Sequence, residues 1–310
     1  MQQGEQQLSC QASCCIIGDV NIDHIADLSH VAVSGEANPC VQNPIVSNVG
    51  GNAVFFAEAA CEAGFGSVAM LCSIGDDAAG SRALEHLHEL GVVVHNMPNK
   101  QQTGQVIIMY QPDDRRIMVA DRGANREFRA PENGVAAELI QQSDLLYVSG
   151  YMLLNADQCA AVHTIANAFR AGKAKVFVDM VPHDVWRTIS WRKYVAMCSC
   201  ADCVAAEMST VSMFHCGLPD ALQPDEAAEL LLRDFKFCLV RINDVSDFIV
   251  ADRARKRIVS IPYRRVTASL RFTDRVIAHA MQQYVTDPNL LFESDLWLSK
   301  AAMTMKGAYR

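Results

Sequence analysis

No apolar run in the 310-residue sequence approaches the ~18 residues of a membrane span. The first ten residues, MQQGEQQLSC, lack the basic and apolar regions of a signal peptide. Positive charge is scarce: Lys and Arg number 27 against 35 Asp and Glu, for a net charge of −8. Nucleic-acid binding needs a basic face, so that class of partner is argued against. The one basic run, RARKR at 253–257, sits between two strand-like segments and reads as a solvated hairpin turn. There is no internal repeat and no low-complexity linker. No G-x-G-x-x-G follows the first predicted strand, and Gly50-Gly51 lies too far downstream to supply it, which argues against a Rossmann dehydrogenase. These absences lead to the expectation of a cytoplasmic protein with no nucleic-acid and no membrane partner. Residues 1–12 are expected to form a disordered leader, ahead of a single domain over 13–310.

Cysteine is plentiful. The chain has twelve, scattered through apolar segments (Cys15, Cys61, Cys72, Cys159, Cys238), where they read as small buried hydrophobes and not as disulfide partners. Cys198, Cys200 and Cys203, followed by His215 and Cys216, have spacing that could hold zinc. Against this, Cys203 falls in a short buried strand, which points neighbouring side chains to opposite faces. No metal site is predicted.

Half of the residues are apolar, enough for a sizeable α/β core. Buried strands are predicted over 13–17, 67–74, 145–148, 175–178 and 237–242, with a short one at Cys203. Helical periodicity covers 78–90, 135–141, 156–171, 224–233 and a stretch near 185–197. Regular strand–helix alternation with runs buried on both faces predicts a mostly parallel sheet covered by helices. Residues 28–47, broken by Gly35, Pro39 and Pro44, and residues 92–120 read as a small β excursion in two pieces.

Polar residues collect at strand ends and glycine turns, where open α/β sheets bind ligands. Asn21, Asp23 and His24 follow the first strand. Gly50, Gly51 and Asn52 open an Ala-rich helix that Gly64 stops. Asp76 and Asp77 suit a helix cap, Asn125 a turn or a substrate contact, and Asp179 an Asx turn or an active-site position. Late in the chain, VTASLRFTDRVIAHAM (266–281) reads as strand end, turn and helix. Ser269 and Thr273 are N-cap types, and Asp274 falls in the first helical turn, where outward N–H groups and the dipole favour negative charge. A carboxylate beside such an anion-binding start suits phosphoryl transfer, and an Asp that merely stabilises the helix end is the plainer alternative.

Taken in order, IIGDVNIDH, VGGNAVFFAEAACEAG, SIGDDAAG, the TGQ…GAN segment over 103–125 and the late Asp resemble the ribokinase-like, or PfkB, family of sugar and nucleoside kinases, over about residues 14–285. The resemblance implies a Rossmann-like central sheet flanked by helices, with a small β-sheet lid from segments at about 28–47 and 92–120. It implies sugar-hydroxyl contacts from Asn21, Asp23, Gly50, Gly51, Asn52 and Asn125. It implies ATP and Mg²⁺ as cofactors, with Asp274 as the general base that takes a proton from a hydroxymethyl group. Lid strands in this family can pair between subunits, which implies a homodimer. The ATP half departs from the pattern. Where the family reads D-T-T-G-A-G-D, this chain reads ASLRFTD, so Arg271 and Thr273 replace two glycines. Asn243 and Ser246 replace the glycines of the nucleotide-side G-x-x-G, and Glu207 and Thr210 stand at the family's N-x-x-E. Two readings remain open. One is a working kinase in which Asn243, Ser246 and Thr273 meet the nucleotide and Arg271 supplies a guanidinium to phosphate. The other is a pseudokinase-like protein that binds a sugar- or nucleoside-like ligand in a regulatory or scaffold role.

Overall fold

The computed structural model describes residues 11–28, 41, 43–97, 99–111, 116–131, 135–181, 184–242, 247–260 and 271–307. The chain starts with β1 (Ser13–Ile17) and passes straight into β2 (Asn21–Asp27) and β3 (Val46–Gly50). Next come α1 (Asn52–Ala63), β4 (Ser67–Cys72), α2 (Ala78–Glu89), β5 (Val93–Asn96), β6 (Gly104–Tyr110) and β7 (Arg116–Asp121). After α3 (Val135–Gln142) the alternation is β8 (Leu145–Ser149), α4 (Ala156–Ala171), β9 (Lys175–Asp179), α5 (Trp191–Met197), β10 (Cys203–Glu207), α6 (Met208–Cys216), α7 (Pro224–Leu232) and β11 (Phe237–Arg241). The hairpin β12 (Asp247–Asp252) and β13 (Lys256–Ser260) precedes α8 (Phe272–Thr286), α9 (Leu290–Glu293) and α10 (Leu296–Gly307).

Among the described residues nine strands form one sheet in the order β13-β12-β11-β10-β9-β8-β1-β4-β5, parallel from β11 to β5 with the antiparallel hairpin at one edge. Alternation in β1 sends Cys14 and Ile16 into one core and Cys15 and Ile17 into the other. The first core packs under α1, α2, α8 and α10 through Phe56, Leu87, Ile277 and Trp297. The second packs under α4, α6 and α7 through Phe169, Val211 and Leu231. Burial on both faces explains why these strands read as continuous apolar runs. The chain leaves β1 toward β4 on one side and returns to β8 on the other, so β1 is the topological switch point, and its carboxyl end opens onto a crevice.

That crevice is roofed by a second, mixed sheet of order β3-β2-β6-β7. Two details differ from the sequence reading. Asn21–Asp27 is itself a strand of this sheet, because the chain continues extended from β1 and pairs β2 with β3 and β6. Val93–Asn96 belongs to the large sheet, where β5 pairs with β4, and not to the second sheet. Most of 28–47 lies outside the described residues. The helix expected near 185–197 is a 3-10 turn (Asp184–Arg187) and then α5, because Ser190 accepts from Lys193 N and starts a new helix. The strand at Cys203 runs on into the unanticipated α6.

Among the described residues no helix is long and apolar enough to cross a membrane, and no disulfide forms. No group of three or more His, Cys, Asp or Glu among them is placed to hold a metal; Cys198, Cys200 and Cys203 are buried, whereas Cys216 is exposed. In the basic run, Arg255, Lys256 and Arg257 pair with Asp252, Glu229 and Asp295.

Helices α1 and α8 are clamped by two ion pairs one turn apart. Glu58 binds Arg271 at 2.5 Å, and Glu62 binds Arg275 through Nε at 2.6 Å and an amino group at 3.0 Å. The Arg275 side chain is only 6% exposed, so removing the Glu62 charge takes a bidentate carboxylate from a cation in the interior. Glu62→Gln is expected to destabilise the fold by roughly 2–4 kcal/mol, measured by urea denaturation, with Glu89→Gln on exposed α2 surface near neutral.

Candidate active site

Strand ends and helix starts converge on a cleft of about 650 Å³. From the β1–β2 passage come Asp19, Asn21 and Asp23, and from the start of α1 come Gly51, Asn52 and Phe55. The carboxyl ends of β9, β10 and β11 bring Asp179, Glu207 and Arg241. The start of α8 brings Phe272, Thr273 and Asp274, and the second sheet contributes Val106, Arg116, Met118 and Ala120. Gly51 caps α1 at φ 102°, a left-handed conformation, and a Cβ there would overlap the Asp19 carbonyl. A Cβ on Gly50 would strike the Asp23 carboxylate. Both glycines of the pair are thus demanded by close approach to the acidic residues.

The floor is a hydrogen-bonded cluster. Asp179 accepts from Asn52 Nδ2 at 3.1 Å and from the Tyr147 hydroxyl at 3.0 Å, and the same hydroxyl reaches Asn52 Oδ1. The Tyr147 ring stacks on Phe56 at 3.7 Å, which fixes the hydroxyl. Burial pushes Asp179 up to about 6, against donation from Asn52 and Tyr147. Burial likewise lifts Asp23 to about 6, with Arg271 and His24 pulling it down. Asp274 is raised well above the carboxylate range, first by burial and then by the charge of Asp179. Across the floor, Glu207 and Arg241 lie opposite each other on neighbouring strands and form an ion pair. A second arm of Arg241 donates to Thr273 Oγ1 at 3.0 Å.

Several expected residues sit apart from this wall. Asn125 is buried; its amide donates to Val20 O, Asn21 Oδ1 and Arg122 O, and its oxygen accepts from Val20 N, so it holds the β1–β2 passage from behind. His24 faces away from Asp23 and bonds Ser47 and Gln105 across the second sheet. Asp77 caps α2 through Gly80 N and ties in Thr103. Arg271 occupies the N-cap position of α8 and Thr273 its first turn, reversing the predicted capping. The Arg271 guanidinium lies 5.0 Å over the Phe55 ring and binds Glu58, in a small pocket with Arg82 and His86 beside the cleft. Asn243, Ser246 and Ser269 fall outside the described residues.

The family model described as pfkB family carbohydrate kinase matches residues 11–212. The chain belongs to this family. Among solved structures, an adenosine kinase from Sinorhizobium meliloti is 18% identical with a TM-score of 0.77, covering 96% of this chain and 99% of that one. A ribokinase from Arabidopsis thaliana complexed with ribose and ATP is 15% identical, TM-score 0.72, covering 94% and 90%. A fructokinase from Xylella fastidiosa with bound ATP is 15% identical, TM-score 0.73, covering 94% and 89%. No curated protein matches the chain. The pfkB-family fold, a mostly parallel sheet with a small mixed second sheet, is the one drawn from the sequence motifs.

Sequence reasoning brought Asn21, Asp23, Gly51, Asn52, Thr273 and Asp274 to this cleft and overlooked Tyr147, Glu207 and Arg241 as a functional group. Tyr147 hides in the apolar run of β8. Arg241 and Glu207 had a usable signal, a charge ending a buried parallel strand at the ligand-binding edge.

The floor carboxylates link stability to pH. A raised native pKa means that the folded protein holds protons that the unfolded chain releases, so the contribution of Asp179 is full below about pH 4 and lost as pH rises through about 6. His279, held neutral by burial at about 4, works oppositely in the same window and is cancelled by comparing variants. Asp179→Asn is expected to gain roughly 1–3 kcal/mol over wild type between pH 4 and pH 7 in denaturant titrations. A pH-independent difference would show that Asp179 is not the group held up by burial.

Proposed function

We propose that the chain transfers the γ-phosphoryl group of ATP to a hydroxymethyl group of a sugar or nucleoside. Asn21, Asp23, Gly51 and Asn52 hold the acceptor, and Asp274 is its general base. The observation that carries this reading is the placement of Asp274: a buried carboxylate in the first turn of α8, on the same cleft wall as the acceptor residues. Asp274 takes the hydroxyl proton while the acceptor oxygen bonds to phosphorus and the bond to the bridging oxygen of ADP breaks. Its raised pKa strengthens it as a proton acceptor and sets an acid limit, since the protonated form is inactive.

The nucleotide belongs at the ends of β10 and β11. Arg241 lies there with Thr273, a fork suited to phosphate oxygens where the family pattern has glycine amides. Glu207 and Asp179 are the carboxylates on that side, suited to Mg²⁺ that arrives with phosphates and keeps most of its waters. Bound Mg²⁺ supplies charge neutralisation on the transferring group. The two ATP-bound relatives support ATP as donor.

A second reading rests on the same turn. Arg271 is committed to Glu58, and Glu207 neutralises Arg241, so the phosphate end lacks an uncompensated cation among these residues. In this reading the cleft binds a sugar- or nucleoside-like ligand without transfer. Calorimetry with ATP–Mg²⁺ and a transfer screen over sugars and nucleosides separates the two: ligand binding without ATP binding selects the second.

Under the kinase reading, Asp274→Asn is expected to cost 10²–10⁴-fold in kcat. Arg241→Ala is expected to cost on the order of 10²-fold, and Arg271→Ala far less. If Arg271 contacts phosphate, the order of the two arginine effects reverses. The exposed Ile107, Ile117 and Val119 on the outer face of the second sheet support a homodimer formed through that sheet. Sedimentation should then give a dimer, and Val119→Lys a monomer.

A further inference from the structure

The charges lining the cleft do not cancel uniformly. Two pairs are closed: Asp19 with Arg122 at 2.8 Å, and Glu207 with Arg241. Arg122 is further engaged by Gln158 at 3.0 Å. Of the remaining carboxylates, Asp179 and Asp274 lie on the floor and Asp23 on β2 of the roof sheet, and Asp23 and Asp274 suit the hydroxyl groups of an acceptor. The remaining cations, Arg116 and Arg126, lie on the roof side, with Tyr151 also lining the cleft.

Arg116 takes this place through strand geometry. Arg116, Met118 and Ala120 are alternate residues of β7 and all line the cleft, whereas Ile117 and Val119 point to the outer face. Among the described residues the Arg116 guanidinium has no hydrogen-bond or ion-pair partner, its backbone pairing with Tyr110 apart. Arg126 is held only by Asp121 at 3.3 Å, in a pair exposed on both sides, which solvent makes weak and easily exchanged. The Tyr151 phenol, held up at about 12 chiefly by burial, is a protonated donor with no hydrogen-bond partner among the described residues. The phenol is raised after burial by the charges of Asp179 and Asp19 and lowered by that of Arg116, so Tyr151 stands between the acidic side of the cleft and the roof cation. Two guanidinium forks and a phenol O–H thus offer donors toward the cleft, and an oxyanion satisfies such a set whereas a neutral hydroxyl leaves most of it unmet.

We propose that Arg116, Arg126 and Tyr151 form a receptor for an oxyanion carried by the acceptor, which makes the acceptor a sugar bearing a phosphate ester or a carboxylate in addition to its free hydroxymethyl group. Asp23 and Asn52 hold the hydroxyl end near Asp274, and the receptor holds the anionic end beside β7 of the roof sheet. The identity of the acceptor end rests on the kinase reading; the oxyanion receptor itself does not.

Binding of matched pairs, measured by calorimetry on the full chain without nucleotide, tests the proposal. The probes are fructose against fructose 6-phosphate, and glucose against gluconate. The anionic member of at least one pair is expected to bind about tenfold tighter or more, and the pair that shows it distinguishes phosphate from carboxylate. Arg116→Gln is expected to abolish that advantage and leave the neutral affinity unchanged, with Tyr151→Phe reducing it in part. Equal affinity within both pairs, failure of both anionic probes to bind, or an advantage that survives Arg116→Gln overturns the proposal. A charge preference lost in Arg116→Gln but without any phosphoryl transfer sinks the kinase and keeps the receptor. Transfer to a neutral sugar together with equal affinity within both pairs sinks the receptor and keeps the kinase.

Discussion

The α1–α8 clamp is the constraint on which the cleft depends. Glu58 and Glu62 are one turn apart on α1, and Arg271 and Arg275 are one turn apart at the start of α8. The match fixes both the spacing and the rotation of the two helices, and each contributes its N-terminus to the same cleft. Gly51 and Asn52 open α1, and Thr273 and Asp274 open α8, so the acceptor wall and the proposed base are set relative to each other by charges outside the cleft. Glu58 also binds His86 of α2 at 2.8 Å, which brings a third helix into the arrangement. The apolar contacts of Val276, Ile277 and Ala280 give α8 its burial but would tolerate sliding; paired charges at fixed spacing do not.

The same helices enclose carboxylates at a cost. Asp179 and Asp274 share a low-dielectric floor where burial raises the proton affinity of both and the charge of Asp179 raises that of Asp274 further, while Asp179 is relieved by two donors, Asn52 and Tyr147. Such an arrangement is poor for stability and useful for proton transfer: one carboxylate is held in place by hydrogen bonds while its neighbour stays basic. Tyr147 links the two roles, since its ring is anchored in the core by Phe56 and its hydroxyl ends at the floor.

Much of this was legible in the sequence because it follows from local rules. Apolar runs bounded by turns gave the strands, Gly64 marked a helix end, and an Asp in the first turn of a periodic segment marked the start of α8. What escaped depended on tertiary pairing. Nothing near Arg271 in sequence announces Glu58, more than two hundred residues earlier, so a free guanidinium aimed at phosphate was the natural local reading. Asn125 looked like a ligand contact because it lies in a polar turn, yet it is buried and its amide is spent on the Val20 and Arg122 backbone and the Asn21 side chain behind the wall. β2 was missed as a strand because its partners, β3 and β6, are separated from it in sequence.

The two residues that replace the family's glycines have been absorbed into this framework. Arg271 now braces α1, and Thr273 accepts from Arg241. Glycine at either position would supply backbone amides to an anion but no brace. Under the proposed kinase reading the cation offered to phosphate is Arg241 at the end of β11, where Glu207 holds it in register on the adjacent strand. A guanidinium held by a strand-end carboxylate is fixed in direction but partly neutralised, so its hold on phosphate depends on whether an incoming anion can compete with Glu207. On the proposed kinase reading, phosphate binding in this cleft therefore turns on the balance within the Glu207–Arg241 pair more than on the missing glycines themselves.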